Sequence, residues 1–259
     1  LLALGLAIGP AGALELRPVA RFVWTLADED FGGFSGLVVT DAGHRLWAVS
    51  DHGTLWRAEI ARDAEGRITG ISAAWHDRFQ DNNGNPVSGF TSDSEAIAAA
   101  PDGGFFIGFE SYSRVTGLHP PDMRPTPLHD FERFKTEWNN EGFEGLARRA
   151  DGSLLAVVER RDATVLKAGP GFGASDLAID TDGLLWLLER RLTWLGQFEI
   201  RISTCTDATE GVVDCIPVIL PGSGDLGNME GLSVWNDAHG RKFISLISDD
   251  NFSMLSSTA

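Results

Sequence analysis

Apolar runs of strand length recur along this chain in pairs, each pair bracketed by acids and most joined by an Asp-Gly turn. One pair runs from Ser94-Glu95-Ala96-Ile97 through Asp102-Gly103 to Phe109-Glu110, and another from Phe143-Glu144-Gly145-Leu146 through Asp151-Gly152 to Val158-Glu159. A third extends from Ser175-Asp176-Leu177 through Asp182-Gly183 to Leu188-Glu189-Arg190, and a fourth from Met229-Glu230-Gly231-Leu232 to Ser248-Asp249-Asp250. Phe34-Ser35-Gly36-Leu37 to Val49-Ser50-Asp51 fits the same mould, with Ser35 in place of the first acid. Stretches such as Ser153 to Val158 are apolar, and Asp-Gly supplies the positive φ of a tight turn, so each unit is predicted to be a β-hairpin.

Two strands cannot bury both of their faces, whereas several such units arranged in a circle can. Repeats of this length point to an all-β fold, a β-propeller, with six blades expected and five the other count. The leading residues fall at 35, 95, 144, 176 and 230, so one step is short for four strands and one blade is expected to be trimmed. Equivalent positions of successive blades face the central axis. The repeated acids are therefore expected at one mouth of the channel, where only a cation relieves their mutual repulsion. The outer acids Asp51, Glu110, Glu159, Glu189, Asp249 and Asp250 end the second strands, which lie antiparallel to the first, and would extend that rim.

The first residues, Leu1 to Ala13, form an uncharged apolar run ending in Ala-Gly-Ala. Residues 1–13 read as the remnant of a secretory leader, with a mature chain beginning near Leu14 and one propeller domain over 14–259; a buried N-terminal strand is the other reading. Closure of the ring is expected from Val19 to Leu26, paired beside Phe243 to Ile247, and the chain ends where one more strand would be expected. Cys205 and Cys215 flank a short polar stretch and are expected to form a disulfide, which fits a periplasmic or secreted bacterial protein.

A formal charge of −16 argues against nucleic acid as a partner. No segment is long enough to span a membrane, and a monomer acting on a small molecule is expected. Nucleophilic catalysis finds no Gly-x-Ser-x-Gly elbow, and six scattered histidines do not suggest a zinc hydrolase. Asp81-Asn82-Asn83-Gly84-Asn85 has the oxygens of half a calcium loop, but Pro86 follows, so a plain loop is expected. A cluster of Glu95, Glu144, Asp176 and Glu230, with Asp51, Asp249 and Asp250, is the expected calcium site. Each acid has an alternative role in fixing the joint between blades.

The phrases Asp93-Ser94-Glu95-Ala96-Ile97, Glu141-Gly142-Phe143-Glu144-Gly145-Leu146-Ala147, Ala174-Ser175-Asp176-Leu177, Leu188-Glu189-Arg190-Arg191 and Met229-Glu230-Gly231-Leu232-Ser233, with the closing Ile247-Ser248-Asp249-Asp250-Asn251-Phe252, resemble the phytase-like domain, also described as esterase-like activity of phytase. The resemblance implies an exported propeller and, more distantly, calcium-dependent cleavage of phosphoesters or esters. Expected catalytic residues are Glu95, Glu144 and Glu230; Arg160 and Arg190, with Asn251, are the expected substrate-binding residues. A metal-dependent lactonase and a non-catalytic scaffold propeller are the alternative functions.

Overall fold

The strands of the paired runs are apolar on both faces because each is pressed between two neighbours. The computed structural model describes residues 1–8, 14–81, 83–111, 113–127, 142–158, 171–206, 214–218, 220 and 226–249. They form five antiparallel sheets. Blade I is β3 (Phe34–Thr40), β4 (Arg45–Ser50), β5 (Thr54–Arg62) and β6 (Ile68–Arg78); blade II is β7 (Ser94–Ala99), β8 (Phe105–Phe109), β9 (Arg114–His119) and β10 (Arg124–Pro127). Blade III contributes β11 (Phe143–Arg148) and β12 (Leu154–Val158), and blade IV comprises β13 (Gly173–Ile179), β14 (Leu185–Leu192), β15 (Phe198–Cys205) and β16 (Cys215–Pro217). Blade V joins β17 (Met229–Asn236) and β18 (Lys242–Ser248) to β1 (Leu2–Ile8) and β2 (Leu14–Arg21).

The innermost strands β3, β7, β11, β13 and β17 touch in that cyclic order, and β17 returns to β3. The described residues thus draw a ring of five sheets. Each of five apolar clusters spans one blade boundary. Trp235, Phe243 and Ile247 meet Phe34, Leu37 and Trp56 between blades V and I, while Trp186 and Ile202 meet Leu2, Leu4 and Met229 between IV and V. Smaller clusters join blades III and IV, I and II, and II and III.

Ring closure differs in one particular from the sequence expectation. The strand beside β18 is β1, with Leu2 opposite Leu246 and Gly5 opposite Phe243. Val19 lies one strand further out, in β2, and residues 22–26 carry no strand. Residues 2–8, for which the sequence allows a leader or a buried N-terminal strand, form an interior strand of blade V with Leu2 and Leu4 buried. An apolar run of this length satisfies a buried strand as well as the core of a leader, so composition does not separate the two. The expected disulfide, Cys205–Cys215, links β15 to the outermost strand β16.

The small residue after each leading acid has a packing reason. A Cβ on Gly231 would lie 2.6 Å from Ile247 Cγ2 and 2.9 Å from the Leu37 amide nitrogen of blade I; one on Gly145 would lie 2.8 Å from both Asp176 Cα and the Leu177 nitrogen of blade IV. At both points the backbone of the neighbouring inner strand lies against the glycine. Gly231→Ala is expected to cost about 1–3 kcal/mol in a urea titration. Gly70→Ala, where nothing lies within 4 Å, should leave the midpoint nearly unmoved.

Candidate functional site

Each inner strand opens with a β-bulge, which leaves one residue out of cross-strand register: Ser35, Glu95, Glu144, Ser175 and Glu230. A bulge bends its strand and re-aims the side chain, and here it repeats at the same end of every innermost strand. The residue past the second strand returns to that end: the Asp51 amide donates to Gly33 O (3.0 Å), Glu110 to Asp93 O (2.9 Å) and Asp249 to Asn228 O (3.0 Å). Inner and outer acids therefore share one mouth. The opposite half of the channel is a cavity of about 220 Å³ lined by the apolar Leu37, Ile97, Leu146, Leu177 and Leu232.

Blade IV is offset by one residue from the phrase as it reads in sequence. Ser175 takes the bulge, so Asp176 stands where the other blades have Gly36, Ala96, Gly145 and Gly231. Its carboxylate accepts the amides of Leu177 (2.7 Å) and of Leu232 in blade V (2.6 Å), joining two blades. Burial pushes this carboxyl well above its usual range, against the two amide hydrogen bonds that pull it down. The same offset turns Glu189 inward, where it is buried against Arg201 (Nε 2.7 Å) and Ser203 (2.9 Å). Arg190 instead occupies the outer position that Asp51, Glu110 and Asp249 hold elsewhere.

Two blades carry the same trio of mouth positions with opposite electrostatics. In blade V the trio is Asn228, Glu230 and Asp249. Arg190 binds Glu230 and donates to Asn228 Oδ1 (2.7 Å), while Asn228 Nδ2 donates to Glu230 (2.6 Å). Arg190, expected to bind substrate, is thus engaged with an acid of the next blade. In blade II the trio is Asp93, Glu95 and Glu110, each offering a carboxylate oxygen within 4.8 Å of the others. The residue of blade I that corresponds to Arg190 is an acid, Asp51.

Burial, then the charges of Glu144, Asp93 and Glu110, raise the Glu95 carboxyl well above the ordinary 4.5. Glu144, buried in blade III, adds to the rise at both Glu95 and Asp176. Asp93 also accepts the hydroxyl and amide of Ser111. Its sequence signal is an acid two residues before a repeated acid. Glu159, Arg160, Asp250 and Asn251 lie outside the described residues.

A second polar group sits at the edge of blade I, where His76 Nε2 is 3.2 Å from Asp28 and Arg78 pairs with Asp30. His76 stacks on Trp56 at 4.2 Å. With Arg78 already bound to Asp30, this group clasps the segment between β2 and β3 onto β6. The Asp81 carboxylate accepts the amides of Asn83 (2.8 Å) and Asn85 (2.9 Å), the turn of a plain loop.

The family model described as Phytase-like, esterase-like activity of phytase, matches residues 29–165 and 160–252. None of the curated proteins matches the chain in sequence. Similar solved structures include a putative gluconolactonase (15% identity, 96% of this chain and 89% of that chain, TM-score 0.49) and a streptogramin B lyase (10% identity, 87% and 96%, TM-score 0.40). A glucose dehydrogenase is also similar (13% identity, 96% and 93%, TM-score 0.43).

Proposed function

The chain belongs to the phytase-like family, esterase-like activity of phytase, and from that premise we propose that the acidic mouth is the active site of an exported, calcium-dependent ester hydrolase. One observation carries the reading: the trio that Arg190 serves in blade V recurs in blade II as Asp93, Glu95 and Glu110, with Asp51 at the position corresponding to the arginine. Carboxylates this close repel one another strongly unless a cation lies among them.

The donor set fits calcium. All three donors are carboxylate oxygens, hard ligands that suit calcium or magnesium rather than zinc. Asp93, Glu95 and Glu110 would hold the ion, which when bound would polarise an ester oxygen and acidify a water. Glu144, buried beside Glu95, is the group to hold the proton released when water adds to the ester carbon. Glu230 keeps Arg190 and Asn228 in place across the mouth. A carboxylic ester suits these surroundings better than a phosphate ester, because a multiply charged phosphate would meet the acids while Arg190 is engaged. The disulfide suits an oxidising compartment, periplasmic or extracellular.

Turnover of p-nitrophenyl acetate and p-nitrophenyl phosphate in millimolar calcium and in EDTA tests this reading. Hydrolysis of the acetate should require calcium, and Glu95→Gln should weaken calcium binding by at least about tenfold. Glu230→Gln should weaken it less, and Glu65→Ala, on an exposed turn, not at all. Equal affinities for wild type, Glu95→Gln and Glu65→Ala would remove the metal site. Calcium-dependent turnover of the phosphate alone would move the substrate class to phosphoesters.

A further inference from the structure

We propose that the cleft between the linker from β6 to β7 and blade II is the subsite for the apolar acyl chain of the substrate, next in sequence to the blade II acids; the inference rests on the reading of that mouth as an esterase centre. The cleft has a volume of about 450 Å³, within the range of small-molecule sites. Its floor is Phe79, Val87, Ile107, Phe109 and Leu118, all buried. Phe79 and Val87 belong to the linker from β6 to β7, which also supplies Gln80, Ser88 and Thr91 to the wall and is fixed by the Phe79 amide to Gly53 O (2.8 Å) and the Val87 amide to Phe79 O (2.9 Å).

Covalent continuity ties this cleft to the acids. Phe109 on the floor is followed directly by Glu110, and Thr91 on the wall lies two residues before Asp93. Arg114 lines the cleft, its guanidinium 3.6 Å from the centroid of the Phe109 ring and donating to Thr91 O (2.5 Å). It is the one cation among the described lining residues, on a chain of charge −16. Its position suits the carbonyl or carboxylate end of a ligand whose chain lies on the apolar floor. The ligand class is therefore a medium-chain carboxylate or its ester.

Calorimetric titration of the full chain with octanoate, butyrate and 1-octanol tests the subsite without relying on turnover. Octanoate and 1-octanol should bind saturably, and each methylene removed should weaken binding roughly three- to fourfold. Thr116→Trp, and independently Ser88→Trp on the linker, should each weaken both octanoate and 1-octanol at least tenfold by filling the cleft. Arg114→Gln should weaken octanoate and spare 1-octanol. EDTA should leave 1-octanol binding unchanged. Absence of saturable binding, or binding indifferent to both tryptophan variants while their circular dichroism matches wild type, overturns the subsite. Calcium-dependent turnover without octanoate binding would sink the cleft alone, whereas octanoate binding with calcium-independent turnover would keep the cleft and sink the metal centre.

Discussion

A chain beginning at Leu14 is expected to lose the cooperative unfolding transition shown by the chain beginning at Leu1. Removing β1 takes Leu1, Leu2 and Leu4 out of two blade boundaries, where all three are buried. Burial of each such side chain is worth about 1.5–3 kcal/mol. Together they approach the roughly 5–15 kcal/mol of total stability that a domain possesses. The loss also exposes the edge of β18 and leaves β2 without the strand it pairs with. Leu4→Asp should have a similar effect in the full chain, because it places a charge in the cluster with Trp186 and Ile202. Urea titration followed by tryptophan fluorescence measures both. A Leu14 chain unfolding at the same midpoint as the longer one would show that β1 is dispensable and support the leader reading of residues 1–13.

Glu95→Gln is expected to have the second largest effect, with opposite signs on activity and on metal-free stability. Turnover should fall at least tenfold with the loss of a metal ligand, while the calcium-free protein should become more stable near neutral pH. The folded-state pKa of Glu95 lies above the ordinary 4.5, so between the two values the folded protein holds more protons than the unfolded chain. Its contribution to stability therefore falls as pH rises through that window. In EDTA the contribution of Glu95 to the unfolding midpoint of the wild type should drop as pH rises from the ordinary 4.5 through the raised folded-state value. Calcium should abolish most of that drop, and Glu95→Gln should retain the part due to Asp176, whose carboxyl is raised with the same sign, offset by the buried Leu1 ammonium, which burial lowers to about 5 and whose contribution rises with pH. A Glu95→Gln midpoint that changes with pH in EDTA just as the wild type's does would contradict a strained acidic mouth.

The bulge shows how far a linear phrase can be followed. Ser175-Asp176-Leu177 reads like Ser94-Glu95-Ala96, and Leu188-Glu189-Arg190 ends like Val158-Glu159-Arg160, so both acids of blade IV read as members of the ring. Side chains alternate along a strand, so a shift of one residue sends each to a different neighbour. Ser175 is the residue that bulges. Asp176 consequently joins blades IV and V, Glu189 binds Arg201, and Arg190 reaches the mouth. Nothing local to the phrase distinguishes the two registers; cross-strand pairing with β14 selects one. Asp93 was missed for a related reason, since an acid before a strand is ordinary until the end of β8 brings Glu110 beside it.

Much that depends on chain-local chemistry was legible without coordinates. Paired apolar runs with turn residues between them specify hairpins, hairpins of this spacing require neighbours on both faces, and repeated acids at strand ends meet at one mouth. Two closely spaced cysteines flanking a polar stretch indicated their pairing. Only the folded ring decided which apolar run closes it, because β1 and a leader have the same composition and differ in what they pack against. The ring also decided which acids share space and which of them an arginine neutralises. Those outcomes depend on contacts between residues as distant in sequence as Arg190 and Glu230, or Leu2 and Leu246, and no local pattern encodes such pairings.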